Sequence, residues 1–94
     1  MEVLLTHRAE RNYDSIKDYI RKEWGEKTRQ EFIQKTDELF SLLKIYPGIG
    51  QIEKDEIRGF RLTRQTRILY RIKGEKIIIL AFFDVRQNPK KKFR

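Results

Sequence analysis

Arg67-Ile68-Leu69-Tyr70-Arg71-Ile72-Lys73-Gly74-Glu75-Lys76-Ile77-Ile78-Ile79-Leu80-Ala81-Phe82-Phe83-Asp84 is the stretch on which the fold turns. Before Gly74, Ile68, Tyr70 and Ile72 alternate with Arg67, Leu69 and Arg71. A period of two with one apolar set predicts a strand with one buried face. Lys73-Gly74-Glu75 is a short polar connection of the kind that closes a hairpin. From Lys76 to Asp84 the pattern changes. Ile77, Ile79, Ala81 and Phe83 form one apolar set and Ile78, Leu80 and Phe82 the other. A strand with two apolar faces is usually central in its sheet, so it needs a neighbour on each side. The Arg67–Lys73 strand is one neighbour. The segment Glu2 to Thr6, with Val3, Leu4 and Leu5, is the natural candidate for the other.

Upstream, Phe60 and Leu62 alternate with Gly59, Arg61 and Thr63, which predicts a further strand over Ile57–Arg64, joined through Arg64-Gln65-Thr66. Gly48, Gly50 and the polar residues to Asp55 are expected to form a loop. Between Thr6 and Tyr46 the period is helical. Ala9, Tyr13, Ile16, Ile20 and Trp24 form one stripe, with Thr6 as N-cap and Gly25 at the C-terminal stop. Phe32, Thr36, Leu39 and Leu43 line a second helix, widened by Ile33 and Phe40 and ended by Tyr46-Pro47-Gly48. A connection this short forces an antiparallel helical hairpin. The expected architecture is α+β in the order β-α-α-β-β-β. A helical hairpin packs on one face of a mostly antiparallel four-stranded sheet, in a single domain over residues 1–94.

The 94 residues suit one domain. Apolar and charged residues each make up 38%, a small core under a heavily charged surface. With no cysteine, disulfide scaffolds, thiolate metal sites and cysteine nucleophiles are excluded. The longest apolar run, Ile77 to Phe83, is far too short to span a membrane, and no signal-peptide pattern opens the chain. A cytoplasmic protein without membrane partners is expected.

Lys and Arg number 22 against 14 Asp and Glu, a net charge of +8. The excess is local. Ile57–Lys73 holds Arg58, Arg61, Arg64, Arg67, Arg71 and Lys73 with no acid, and Val85–Arg94 holds Arg86, Lys90, Lys91, Lys92 and Arg94, again with no acid. Two acid-free basic segments suit a polyanion or an acidic protein partner. The other possibility for such runs is a solvated face. Strand alternation places Arg61, Arg67 and Arg71 opposite the apolar set, on the face that the helices leave open, where Arg86 can join them. Guanidinium groups gathered there can hold phosphates bidentately, or simply keep an exposed sheet soluble.

Other constellations carry little chemistry. The lone histidine, His7, sits at a predicted helix start and has no acid or nucleophile spaced to use it. Gly48-Ile49-Gly50 lacks the Lys-Ser/Thr of a phosphate loop. Glu10, Asp14 and Asp18 lie four apart on a solvated helix face. No metal-ligand spacing is present, and neither a metal nor a cofactor is expected.

Three stretches together carry a family resemblance. They are Asp18-Tyr19-Ile20 with Trp24-Gly25; Pro47-Gly48 followed by Ile57-Arg58-Gly59-Phe60 and Arg67-Ile68-Leu69-Tyr70-Arg71-Ile72; and Phe83-Asp84-Val85-Arg86-Gln87-Asn88-Pro89. In these the chain resembles the RelE/ParE superfamily of bacterial toxins from type II toxin–antitoxin (plasmid stabilisation) systems. The resemblance implies a growth-inhibiting toxin neutralised by a cognate antitoxin with an acidic C-terminal segment. It implies either of two targets. RelE-like members cut mRNA on the ribosome, and the residues matching their basic set are Arg61, Arg67 and Arg86. ParE-like members poison DNA gyrase; under that resemblance Arg86, Lys90, Lys91 and Lys92 are the target-binding candidates. Thr63 stands where a RelE-like nuclease would carry a second strand lysine, Phe93 stands where it would carry a tyrosine, and no histidine follows His7. RNA cleavage needs a base for the 2′-hydroxyl and an acid for the leaving oxygen, and arginine is a poor base. The ParE-like action is therefore preferred, with the metal-independent endoribonuclease and a non-catalytic nucleic-acid-binding module as alternatives.

Overall fold

The computed structural model describes residues 1–86. Seven elements follow one another: β1 (Glu2–Leu5), α1 (His7–Trp24), α2 (Glu26–Ile45), β2 (Gln51–Lys54), β3 (Ile57–Arg61), β4 (Thr66–Lys73) and β5 (Lys76–Asp84). The sheet order is β1-β5-β4-β3-β2. β1 runs parallel to β5, and every other pairing is antiparallel. The doubly apolar strand does lie between its two expected neighbours. The sheet gains a fifth strand, because β2 pairs with β3 where the glycine-flanked stretch pointed to a loop.

The helices form as their caps direct. The Thr6 hydroxyl accepts the Ala9 N–H at 3.0 Å, satisfying one of the orphan donors of α1. Gly25 takes φ +97°, a value open to glycine, and its N–H closes on the carbonyls of Ile20 and Arg21. Ala9, Ile16 and Ile20 of α1 and Phe32, Thr36, Leu39 and Leu43 of α2 are buried. Trp24 is an exception to its stripe: at the tip of the hairpin it is 57% exposed.

The core is closed by Ile68 and Tyr70 from β4 and by Ile77, Ile79 and Phe82 from β5. Strict alternation would put Phe82 on the face away from Ile77 and Ile79. The β4–β5 register shifts between Leu69 and Tyr70, pairing Tyr70 with Ile79 but Leu69 with Ala81, so Leu80 is an extra residue in β5. This bulge reverses the phase of the strand. Phe82 thereby joins the core, stacked on Tyr13 at 5.1 Å between ring centroids and edge-on to Phe40 at 6.5 Å. Beyond the end of β1, Asn12 takes over as a partner of β5, its side-chain oxygen accepting the Phe82 N–H.

β3 is shorter than its apolar alternation predicts. The backbone N–H groups of Leu62 and Thr63 both donate to the Thr66 carbonyl, and the Thr63 hydroxyl accepts from Gln65 and Thr66 N–H. The turn therefore starts at Leu62, and Thr66 already belongs to β4.

Tyr70 ties the α2–β2 connection to the sheet. Its hydroxyl donates to the Pro47 carbonyl and accepts the Gly50 N–H, both at 2.8 Å. Gly50 packs so closely that a Cβ there would lie 2.7 Å from that hydroxyl. Tyr70→Phe strands a buried N–H. The expected loss is about 1–3 kcal/mol, read as a lower urea midpoint at unchanged slope.

Candidate functional site

The two sheet faces differ in what their charges touch. On the open face, Arg61 of β3 is paired in register with Arg67 of β4. Like charges directly opposite one another destabilise a sheet. Glu53 relieves this. The β2–β3 register shifts between Ile52 and Lys54, leaving Glu53 as the extra residue, and its carboxylate reaches back to form an ion pair with the Arg67 guanidinium. The pair crosses directly over Gly59, where any Cβ would collide with both side chains. Arg67 Nε is buried without a hydrogen-bond partner among the described residues. Arg61 and Arg71 make no ion pair with any described acid.

Arg86 is on the other side of the sheet. Its guanidinium grips both oxygens of Asp84, at 3.0 Å from Nε and 2.6 Å from one terminal nitrogen, and its backbone N–H adds a third bond at 2.9 Å. The Thr66 hydroxyl donates to the same carboxylate at 2.6 Å. Asp84 is fully buried at its side chain and Arg86 keeps 19% exposure. Burial pushes the Asp84 carboxyl up. The hydrogen bonds from Arg86 and Thr66 and the Arg86 charge outweigh that, so it titrates below its ordinary value. Arg86 is raised, chiefly by its hydrogen bonds to Asp84. The guanidinium also borders a groove of about 460 Å³, lined by Ile20, Phe32 and Lys35 from the helices and by Thr63 and Gln65 from the β3–β4 turn.

The candidates thus separate. Arg61 and Arg67 come together on the open face, while Arg86, expected to join them, turns to the helix side and is held by Asp84. Lys90, Lys91 and Lys92 lie outside the described residues. Glu53 is the site residue that sequence reasoning missed, because it sits in the stretch read as a loop. No group of three or more His, Asp or Glu side chains among the described residues is arranged to hold a metal ion, and no described helix is long and apolar enough to cross a membrane.

A family model, the ParE toxin of type II toxin-antitoxin system, parDE, matches residues 3–89. The chain belongs to the ParE toxin family. Solved structures share the RelE/ParE superfamily fold with this ParE-family chain. One is the chromosomal ParDE TA system from P. aeruginosa, at 24% identity and TM-score 0.75, covering 89% of this chain and 95% of that one. Another is a YoeB/ParE toxin from Agrobacterium tumefaciens, at 17% identity and TM-score 0.66, covering 89% and 98%. A third is the heterotetrameric YoeB-YefM toxin-antitoxin complex from Staphylococcus aureus, at 16% identity and TM-score 0.63, covering 88% and 94%. No curated protein matches the chain.

Proposed function

We propose that this ParE-family toxin arrests growth in the cytoplasm by acting on DNA gyrase, and that a cognate antitoxin neutralises it. The observation that carries this choice of target is the separation of the three arginines a nuclease would use. Arg67 is neutralised by Glu53, and Arg86 is locked to Asp84 on the far side of the sheet. A scissile phosphate needs convergent, unpaired cations. Arg86 and the Lys90-Lys91-Lys92 run follow the central strand as the target-binding segment. The antitoxin's acidic C-terminal segment takes the groove between the helical hairpin and the sheet edge, folding as it binds.

One observation favours the mRNA endonuclease as a second possibility. The Glu53 carboxylate beside Arg67 is a group able to accept the proton of a 2′-hydroxyl. Against it, Thr63 and Phe93 stand where the nuclease resemblance calls for a lysine and a tyrosine, and no histidine follows His7 to serve as the acid.

Gyrase supercoiling and ribosome-programmed mRNA cleavage, assayed side by side with the same purified toxin, decide between them. Inhibition of supercoiling without cleavage is expected, and cleavage with supercoiling intact overturns the proposal. In cells, deleting residues 90–94 is expected to relieve growth inhibition more than Arg67→Ala does, at matched protein levels. The opposite order, with Arg67→Ala folded and harmless, would make the nuclease the better account.

A further inference from the structure

β5 is apolar on both faces, yet both helices pack on only one. On the other face Leu4, Ile78, Leu69, Ala81 and Phe83 run as a strip across β1, β5 and β4. Ala81 within the strip is buried, and Arg8 of α1 reaches over its Phe83 end. Leu69, Ile78 and Phe83 are only half-buried, and Leu4 is 36% exposed. Cations frame the strip. Arg61, Arg67, Arg71, Lys73 and Lys76 share this face by register, and the Arg8 guanidinium stands 5.6 Å from the centre of the Phe83 ring. The acids that register or contact places on this face are Glu2 and Glu53, and Glu53 is already spent on Arg67. An apolar centre with an arginine rim has the composition of a protein-binding hot spot.

We infer that this open face docks an acidic protein segment carrying apolar anchors, and that the segment belongs to gyrase; the inference rests on the target proposed above. Charge argues against a second copy, since face-to-face pairing would set the arginine rim against itself. Chemistry argues against a nucleic acid. Its phosphates would meet Arg61, Arg71, Lys73 and Lys76 only at the rim, the centre is aliphatic, and the one flat ring on this face, Phe83, is already covered by Arg8. An acidic segment satisfies both parts of the face at once, its carboxylates on Arg61 and Arg71 and its apolar side chains on Leu69 and Ile78.

The test uses the full chain and the double variant Arg61→Glu, Arg71→Glu in a gyrase supercoiling assay, with melting followed by circular dichroism. The half-inhibitory concentration is expected to rise at least about tenfold, the scale of one like-charge contact. If charge reversal lowers the melting temperature, Arg61→Gln, Arg71→Gln removes the attraction alone and is expected to raise it about threefold or more, roughly 0.7 kcal/mol. Variants that inhibit like the wild type overturn this docking surface and leave the gyrase target standing. A wild-type chain that does not inhibit gyrase overturns the target and the surface with it. Binding of the wild type to an RNA oligonucleotide or to phosphatidylserine vesicles, lost in these variants while gyrase inhibition is kept, assigns the face to those partners and overturns the inference. So does a wild-type dimer in sedimentation that the variants abolish.

Discussion

Phe82→Ala is expected to remove about 3–5 kcal/mol of folding free energy. A domain of this size holds only about 5–15 kcal/mol in all, so the variant sits near the edge of folding at growth temperature. The size of the effect follows from where the ring lies. Phe82 is 2% exposed and meets α1 through Tyr13, α2 through Phe40 and β4 through its register partner Ile68. Those three elements move independently only when the fold is lost, so the cavity left by the ring has little way to collapse. Urea unfolding of wild type and variant checks this. A loss below about 1 kcal/mol would place Phe82 on the open face and remove the bulge at Leu80 from the structure.

Asp84→Ala is the second large effect, expected at about 3 kcal/mol. Removing one partner of a buried ion pair typically costs about 3–5 kcal/mol, and the lower end applies because Arg86 keeps contact with water. The variant also strands the Thr66 hydroxyl, which is fully buried. The pH dependence has a definite sign. The folded-state carboxyl of Asp84 titrates below its unfolded value of about 3.9. The stability it confers is therefore complete above that value and is lost as pH falls through the lower folded-state value. Wild type and Asp84→Asn, compared by thermal melting between neutral pH and about pH 2, should converge as the pH falls below about 4. Parallel curves would show that Asp84 is not charged in the folded protein.

How far the sequence reached depends on what made each element visible. The helices were legible because their stripes, the Thr6 cap and the Gly25 and Pro47 stops all agree. β5 was legible as the central strand because it has two apolar faces. The same property hid the bulge at Leu80: when both faces are apolar, a change of phase alters no polarity. β2 was hidden for the opposite reason. Its four residues are all exposed and mostly polar, so no face repeats, and only pairing with β3 makes it a strand. Glu53 was missed along with it. Of the arginines, Arg61 and Arg67 were placed correctly by alternation within a strand. Arg86 lies beyond the end of β5, where alternation no longer governs direction and three hydrogen bonds to Asp84 do.

The parallel pairing of β1 with β5 also bears on how the protein is made. β1 leaves the ribosome well before β5, the strand it docks against, and the Thr6 hydroxyl reaches the Leu80 carbonyl across 74 positions of chain. Ile77, Ile79 and Phe82, which seal the sheet against the helices, are synthesised after nearly everything they cover. During translation the helical hairpin emerges with its apolar stripes unsealed, and contacts of such long sequence separation form late. A nascent chain therefore stays short of its finished surface until the β5 residues are free. The basic segment that follows β5 appears later still, so a chain cut short within β5 lacks both the completed core and that cationic segment.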